Sequence, residues 1–294
     1  MKVKILSSKN YENQDINYGD CILIDTGNKV IIYDCGSEEH AKRVVKYLDD
    51  NSYEKVYVIL SHNDSDHYNG LKYLIEKNKV YSITTILLLK HIDDILDEIN
   101  DGRRTRDSIK KAISDYFDNI YSLSGNNLID SMDESYTIDS CINFVGPNYD
   151  YLLDAVSKAL NNNESDTIDM ETIVNAISVQ VEIIIGNHKL LLTGDASFNA
   201  LEDKITEYDA IQLPHHGKYA QAEKIFDINE GRESVIYIVS DNTGSSNGGS
   251  DELMDNNSIG KIIKNTQSGD VEITESSFIK KSKGCYGYEI SNIK

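Results

Sequence analysis

A β-branched apolar run, Val56-Tyr57-Val58-Ile59-Leu60, breaks off into Ser61-His62-Asn63-Asp64-Ser65-Asp66-His67, with Gly70 and a helical pattern from Leu71 behind it. No other stretch constrains the chain as tightly. The apolar run has the composition of a buried strand, so the polar residues after it stand at the rim of a layer, where loops carry chemistry. Two imidazoles and two carboxylates in so short a loop supply most of a two-metal site. His62, Asp64 and Asp66 alternate, which predicts an extended backbone that points them to one side, with His67 at the turn into the helix. The competing reading is a solvated polar loop, and the flanking strand and helix weigh against it.

Two further segments repeat the arrangement. Thr193-Gly194-Asp195-Ala196 sets a carboxylate directly after the apolar run Lys189 to Leu192, and Leu213-Pro214-His215-His216-Gly217-Lys218 sets paired imidazoles after another. Alone, an Asp after Gly reads as a turn or a helix cap. Three strand ends that all carry ligand-type residues make chance the weaker explanation. Asp34, before Gly36 at the end of Val30-Ile31-Ile32-Tyr33, is either a carboxylate supporting a ligand from behind or a turn residue. His188, in the turn after Gly186-Asn187, reads as exposed.

Strand patterns alternate with helical ones along the chain, which indicates an α/β protein. The segment 91–125 reads as one or two charged helices with a solvated face. Within it Arg103, Arg104 and Arg106 form the densest basic cluster: a surface loop beside a helix, or an anion clamp. Strands are expected over Ser82 to Leu89, Cys141 to Val145 and Ile177 to Ile185, a helix over Tyr149 to Leu160, and a polar loop over Asn161 to Asp166.

Charge narrows the partners. The 294 residues hold 29 Lys and Arg against 49 Asp and Glu, a net charge of −20. Such a surface repels nucleic-acid backbones and anionic membranes, unless bound metal ions reverse the field locally. Four scattered cysteines without a C-x-x-C pair read as reduced thiols. The opening residues lack an apolar leader segment, and no apolar run approaches the ~20 residues of a membrane span. A soluble, cytoplasmic protein is the expectation.

Taken together, these motifs resemble the metallo-β-lactamase superfamily. Its H-x-H-x-D-H signature stands as His62-x-Asp64-x-Asp66-His67. The His-to-Asp replacement resembles the hydrolase domain of the DNA-uptake protein ComEC, as do Gly19-Asp20, Tyr33-Asp34-Cys35-Gly36, Asn175-x-x-Ser178-Val179 and Leu213-Pro214-His215-His216-Gly217. The resemblance covers about residues 17–240. It implies an αββα four-layer sandwich of the metallo-β-lactamase type, forming one domain over 1–294 with a helical insertion around 91–170. It also implies two divalent metal ions, Mn²⁺ or Zn²⁺. His62 and Asp64 would hold one, and Asp66 and His67 the other; Asp195 would bridge them, and one of His215 and His216, with His216 favoured, would complete the second. Asn175 stands where the family's third-motif histidine is expected. Lys218 replaces the usual Ser after His-His-Gly, and Gly244 to Gly249 replaces a G-H-P segment, both near where substrate would be read.

On this footing the expected chemistry is metal-dependent hydrolysis of a phosphodiester in nucleic acid or nucleotides. Asp66 would orient the nucleophile or take its proton, His215 would serve the leaving oxygen, and Lys218 and Asn175 would face substrate. Hydrolysis of a small ester, lactone or thioester, and a non-catalytic binding protein on a degenerate hydrolase fold, are the competing functions. A free nuclease endangers its own cell, so a regulatory protein partner is also expected.

Overall fold

The computed structural model describes residues 1–13, 16–99, 104–116, 123, 125, 127–161, 167–240, 244–253 and 260–278. Short apolar runs separated by turns pair into two mixed sheets. The first contains β1 (Lys2–Ile5), β2 (Ile22–Asp25), β3 (Val30–Tyr33), β4 (Val56–Ile59), β5 (Val80–Thr85) and β6 (Leu128–Asp130) in that order. The second contains β7 (Ile142–Gly146), then, past a small ribbon of β8 (Thr167–Ile168) and β9 (Glu171–Thr172), β10 (Gln180–Ile185), β11 (His188–Leu192), β12 (Ala210–Gln212), β13 (Ile236–Val239) and β14 (Ile262–Asn265). A late strand, β15 (Val271–Ile273), returns to the first sheet beside β1. β1 to β3 form an antiparallel meander, and β3 to β6 run parallel. β10 and β11 form a hairpin, and β11 to β14 run parallel.

Side-chain alternation assembles these sheets into layers. In the second sheet Leu190, Leu192, Ala210, Ile236 and Ile238 enter the large core shared with Val3, Ile24, Ile31 and Val58 of the first. Their neighbours Leu191, Ile211, Tyr237 and Val239 turn the other way, onto Ala222, Ile225 and Phe226 of the helix Tyr219–Ile228. On the opposite side the helix Glu38–Asp50, capped by Ser37, packs Ala41, Val44 and Leu48 into the core of the first sheet. Helix, sheet, sheet and helix are stacked, which is the four-layer sandwich expected from the motifs. Parallel crossovers leave the carboxyl ends of β3, β4, β11 and β12 along one edge, and every candidate ligand follows one of those ends.

Four local expectations need correcting. Residues 62–67 are not extended throughout, because Ser65–Tyr68 closes a helical turn. β5 stops at Thr85 and a 3₁₀ turn, Leu88–His91, follows. β10 begins at Gln180, because Ile173–Ala176 forms a turn that Thr172 caps. The segment 91–170 supplies the outer strands β6 and β7 as well as helices. Those helices, Ile92–Ile99 and Arg106–Tyr116, bury Ile92, Ile95, Ile99, Ile109 and Ile113 in the main core and leave their charges outside. Arg104 donates to the Leu160 carbonyl and Arg106 pairs with Asp93, so both are tied up locally; Arg103 lies outside the described residues.

Candidate metal centre

Asp66 is set in place by its backbone. Its carbonyl accepts from Asp20 N at 2.9 Å and lies against Gly19 and Gly36. A Cβ on Gly19, where φ is +66°, would stand 1.7 Å from that oxygen. Only glycine permits both the left-handed backbone and the approach. Asp64 occupies the cap position of the helical turn, yet its side chain makes no cap bond. Its carboxylate instead lies 3.8 Å from His62 Nε2. The left-handed Gly194, close against Ser61 and the Tyr33 hydroxyl, carries Asp195 in from β11. His215 and His216 are both left-handed, with φ of 51° and 54°, and hold this backbone without being glycine. Such strain collects where surrounding structure over-determines a site.

These loops bring six side chains together. His67 Nε2 is 3.4 Å from Asp195 Oδ1, and His62 Nε2 is 3.8 Å from Asp195 Oδ2. His216 Nε2 is 3.1 Å from Asp66 Oδ2 and 4.0 Å from Asp195 Oδ2. Donor atoms of His62, His67 and Asp195 form one compact group, and those of Asp66, His67 and His216 form a second. His67 is common to both.

Each histidine is gripped from behind. His67 Nδ1 lies 2.8 Å from Asp34 Oδ2, and Asp34 also accepts from Ser61 N and Ser61 Oγ. His216 Nδ1 is 3.1 Å from Asp20, which Gln212 and Ser240 hold in turn. His62 Nδ1 meets the hydroxyls of Ser61 and Ser178, and His215 Nδ1 meets Glu171 at 2.6 Å. Every Nδ1 is occupied, so every Nε2 faces the centre, the arrangement that outer carboxylates impose on metal-binding histidines.

The inner atoms test whether a cation fits. His62 Nε2, His67 Nε2 and Asp195 Oδ1 are buried and lack a hydrogen-bond partner. Buried polar atoms in native proteins are normally satisfied, and three unsatisfied ones converging on one locus match the donor set of a divalent ion. The site's electrostatics agree. Burial alone would raise the Asp195 carboxyl, but His67 and His216 hold it well below its ordinary range. Burial would lower His67, yet Asp195 and Asp34 raise it well above its ordinary value. His62, by contrast, is pushed down to about 3, chiefly by burial and then by His67. The carboxylates thus favour positive charge at this locus, which protons on His67 and His216 supply here and a bound cation could supply in their place.

Above the centre lies an open cleft of about 390 Å³, lined by Asn17, Asp64, Ser65, Asp66, Asp195, His215 and Ser246 to Gly248. Two expected substrate residues are not in it. Lys218 Nζ is held at 2.9 Å by both the Met170 carbonyl and Glu171. Asn175 is buried in the Ile173–Ala176 turn and meets the Thr172 hydroxyl. His188 opens β11, beside Asp209 and stacked on Phe278, outside this centre. Asp34 resolves as the carboxylate behind His67.

With this geometry in view, residues 15–138 match the metallo-beta-lactamase superfamily model. The fold is the metallo-β-lactamase fold. An uncharacterised protein of Methanocaldococcus jannaschii is 28% identical over 153 residues, 51% of this chain, and the match spans 55% of that relative's own length. Among solved structures, the metallo-beta-lactamase fold protein YhfI from Bacillus subtilis is 13% identical, with 92% of this chain and 99% of that one covered and a TM-score of 0.49. Igni18, a metallo hydrolase from Ignicoccus hospitalis, is 14% identical, with 93% and 99% covered and a TM-score of 0.47.

Glu171 escaped the sequence reading altogether. It lies in a two-residue strand 44 positions from His215, and nothing local marks it. Asp20 entered only through the resemblance. A carboxylate beside an apolar strand was the signal for both, Asp20 just before Ile22–Asp25 and Asp34 just after Val30–Tyr33.

Proposed function

We propose that this protein is a metal-dependent phosphodiester hydrolase acting on nucleic acid or nucleotides. The observation that carries the reading is the convergence of three buried donor atoms that make no hydrogen bond, on histidines braced from behind. His62 and Asp64 would hold one divalent ion, Asp66, His67 and His216 the other, and Asp195 both. When bound, such a pair supplies Lewis-acid polarisation of a phosphoryl oxygen and activates water for in-line displacement. Three carboxylates beside three imidazoles suit Mn²⁺ or Zn²⁺.

The chain's own groups do the rest. Asp66 accepts from Asn17 Nδ2 at 3.0 Å, and its carboxyl, which burial would raise, is pulled down by the His216 hydrogen bond and by His67. It is ionised at neutral pH and orients the attacking water. His215 presents Nε2 toward the cleft while Glu171 fixes its ring, a geometry suited to proton donation to the leaving oxygen. The finer likeness to the ComEC domain, through Asp64 in place of histidine, supports phosphodiester over carboxylic ester. The cytoplasm and a controlling protein partner complete the proposal.

The test is hydrolysis of bis-p-nitrophenyl phosphate and p-nitrophenyl acetate with Mn²⁺, Zn²⁺ or Mg²⁺, before and after chelation. Chelator-sensitive diester cleavage that Asp66→Ala abolishes is expected. Cleavage of the acetate alone, or of neither compound, contradicts the reading.

A further inference from the structure

Two loops meet over the cleft. Asn17 Nδ2 donates to Asn247 Oδ1, and both amides reach Asp66 Oδ2, at 3.0 and 3.4 Å. The Asn247 loop sits directly on the histidines: a Cβ on Gly248 would stand 2.5 Å from His215 Nε2, and one on Gly249 2.5 Å from the His216 carbonyl. The mouth is therefore spanned on one side by an amide-to-amide bridge, beside the carboxylate that would orient the nucleophile. A polymer strand passing on that side of the cleft would have to break that bridge.

Charge points the same way. Among the described residues no lysine or arginine lines the cleft; its charged groups are Asp64, Asp66 and Asp195, with His215 beside them. Lys218, the nearest basic side chain in sequence, is engaged by Glu171. Two divalent ions would set four positive charges against the three carboxylates of the cleft and against Asp34 and Asp20 behind His67 and His216, which leaves no surplus of positive charge for a second phosphate. Further phosphates would meet no lysine or arginine among the described lining residues, in a chain of net charge −20. Binding to nucleic-acid chains ordinarily rests on Lys and Arg contacts along the backbone. The remaining lining is neutral: the amides of Asn17 and Asn247 and the hydroxyls of Ser65 and Ser246 suit sugar hydroxyls and base edges. A volume of about 390 Å³ holds a small ligand.

We infer that the substrate is a small diester with one negative charge, of mononucleotide or dinucleotide size, and that nucleic-acid chains are excluded. This rests on the phosphodiester reading above. The experiment compares three compounds with the metal-loaded protein: a dinucleoside monophosphate, the same compound with a 5′-phosphate, and a single strand of about 20 nucleotides. Fluorescence anisotropy of the labelled strand, with Ca²⁺ as a non-turnover ion, gives a second readout.

The expected result is cleavage of the first compound, about tenfold lower kcat/KM once the second phosphate is added, and no retention of the strand at 150 mM salt. Cleavage of the strand as fast as the dinucleotide, or strand binding that weakens steeply with salt, overturns the inference while the phosphodiester reading stands. Cleavage of none of the three, with bis-p-nitrophenyl phosphate also intact, overturns both.

Discussion

The carboxylate of Asp34 accepts from Ser61 N, Ser61 Oγ and His67 Nδ1 at 2.7, 2.7 and 2.8 Å. Its charge is what makes the inward His67 nitrogen a strong donor. Asp34→Asn keeps the shape and removes the charge, so metal affinity should fall about 10–100-fold. Competition against a fluorescent chelator measures it, and unchanged affinity would make Asp34 a turn residue after all. Glu171→Gln acts on a different function. It should lower kcat for diester cleavage about 100-fold with metal content unchanged, because it frees the His215 ring and leaves the six donors alone. His40 sets a pH dependence away from the centre. It is buried between the Tyr11 hydroxyl and the Gly19 carbonyl, and burial pushes its pKa down to about 4 from 6.5. The unfolded chain takes up this proton first as pH falls. Stability from the neutral ring is therefore complete above pH 6.5 and is lost toward pH 4, on the order of 3 kcal/mol in all. Urea midpoints between pH 7 and 4.5 should fall less steeply in His40→Gln than in the wild type.

Strands and their end loops fix where those residues meet. Gly19→Ala would drive a methyl into the Asp66 carbonyl and strain a left-handed backbone. A loss of about 1–3 kcal/mol in unfolding free energy, read from denaturant titration, together with weaker metal binding, is the expected outcome. At this scale the sequence was informative to a definite depth. The strands before His62, Asp195 and His215 were visible because apolar runs end abruptly in ligand-type residues. The helical turn at Ser65–Tyr68 was not, because alternating His and Asp also suits an extended chain, and the bond from Asp20 N to the Asp66 carbonyl within the turn comes from far away in sequence. Lys218 looked like a substrate cation because its proper partner, Glu171, is invisible at a distance of 47 positions. Asn175 looked like a site residue because it stands where the resemblance expects a histidine, whereas the Thr172 cap, a local bond without a periodic signature, claims it.

Over the whole molecule, the two sheets bring three sequence-distant loops to one edge, in a chain whose net charge is −20. Carboxylates crowded there repel one another until cations neutralise them. Among the described residues no helix is long and apolar enough to cross a membrane. Bound metal should therefore stabilise the fold: at a free concentration 100-fold above Kd the gain is about 2.7 kcal/mol, and a chelator should lower Tm accordingly. The most direct measurement of the central claim is metal content per chain, by mass spectrometry after reconstitution with Mn²⁺ or Zn²⁺ and gel filtration. Two ions per chain in the wild type, with clear loss in Asp195→Asn, is the predicted result. A folded wild-type chain that retains no metal after reconstitution would contradict the account.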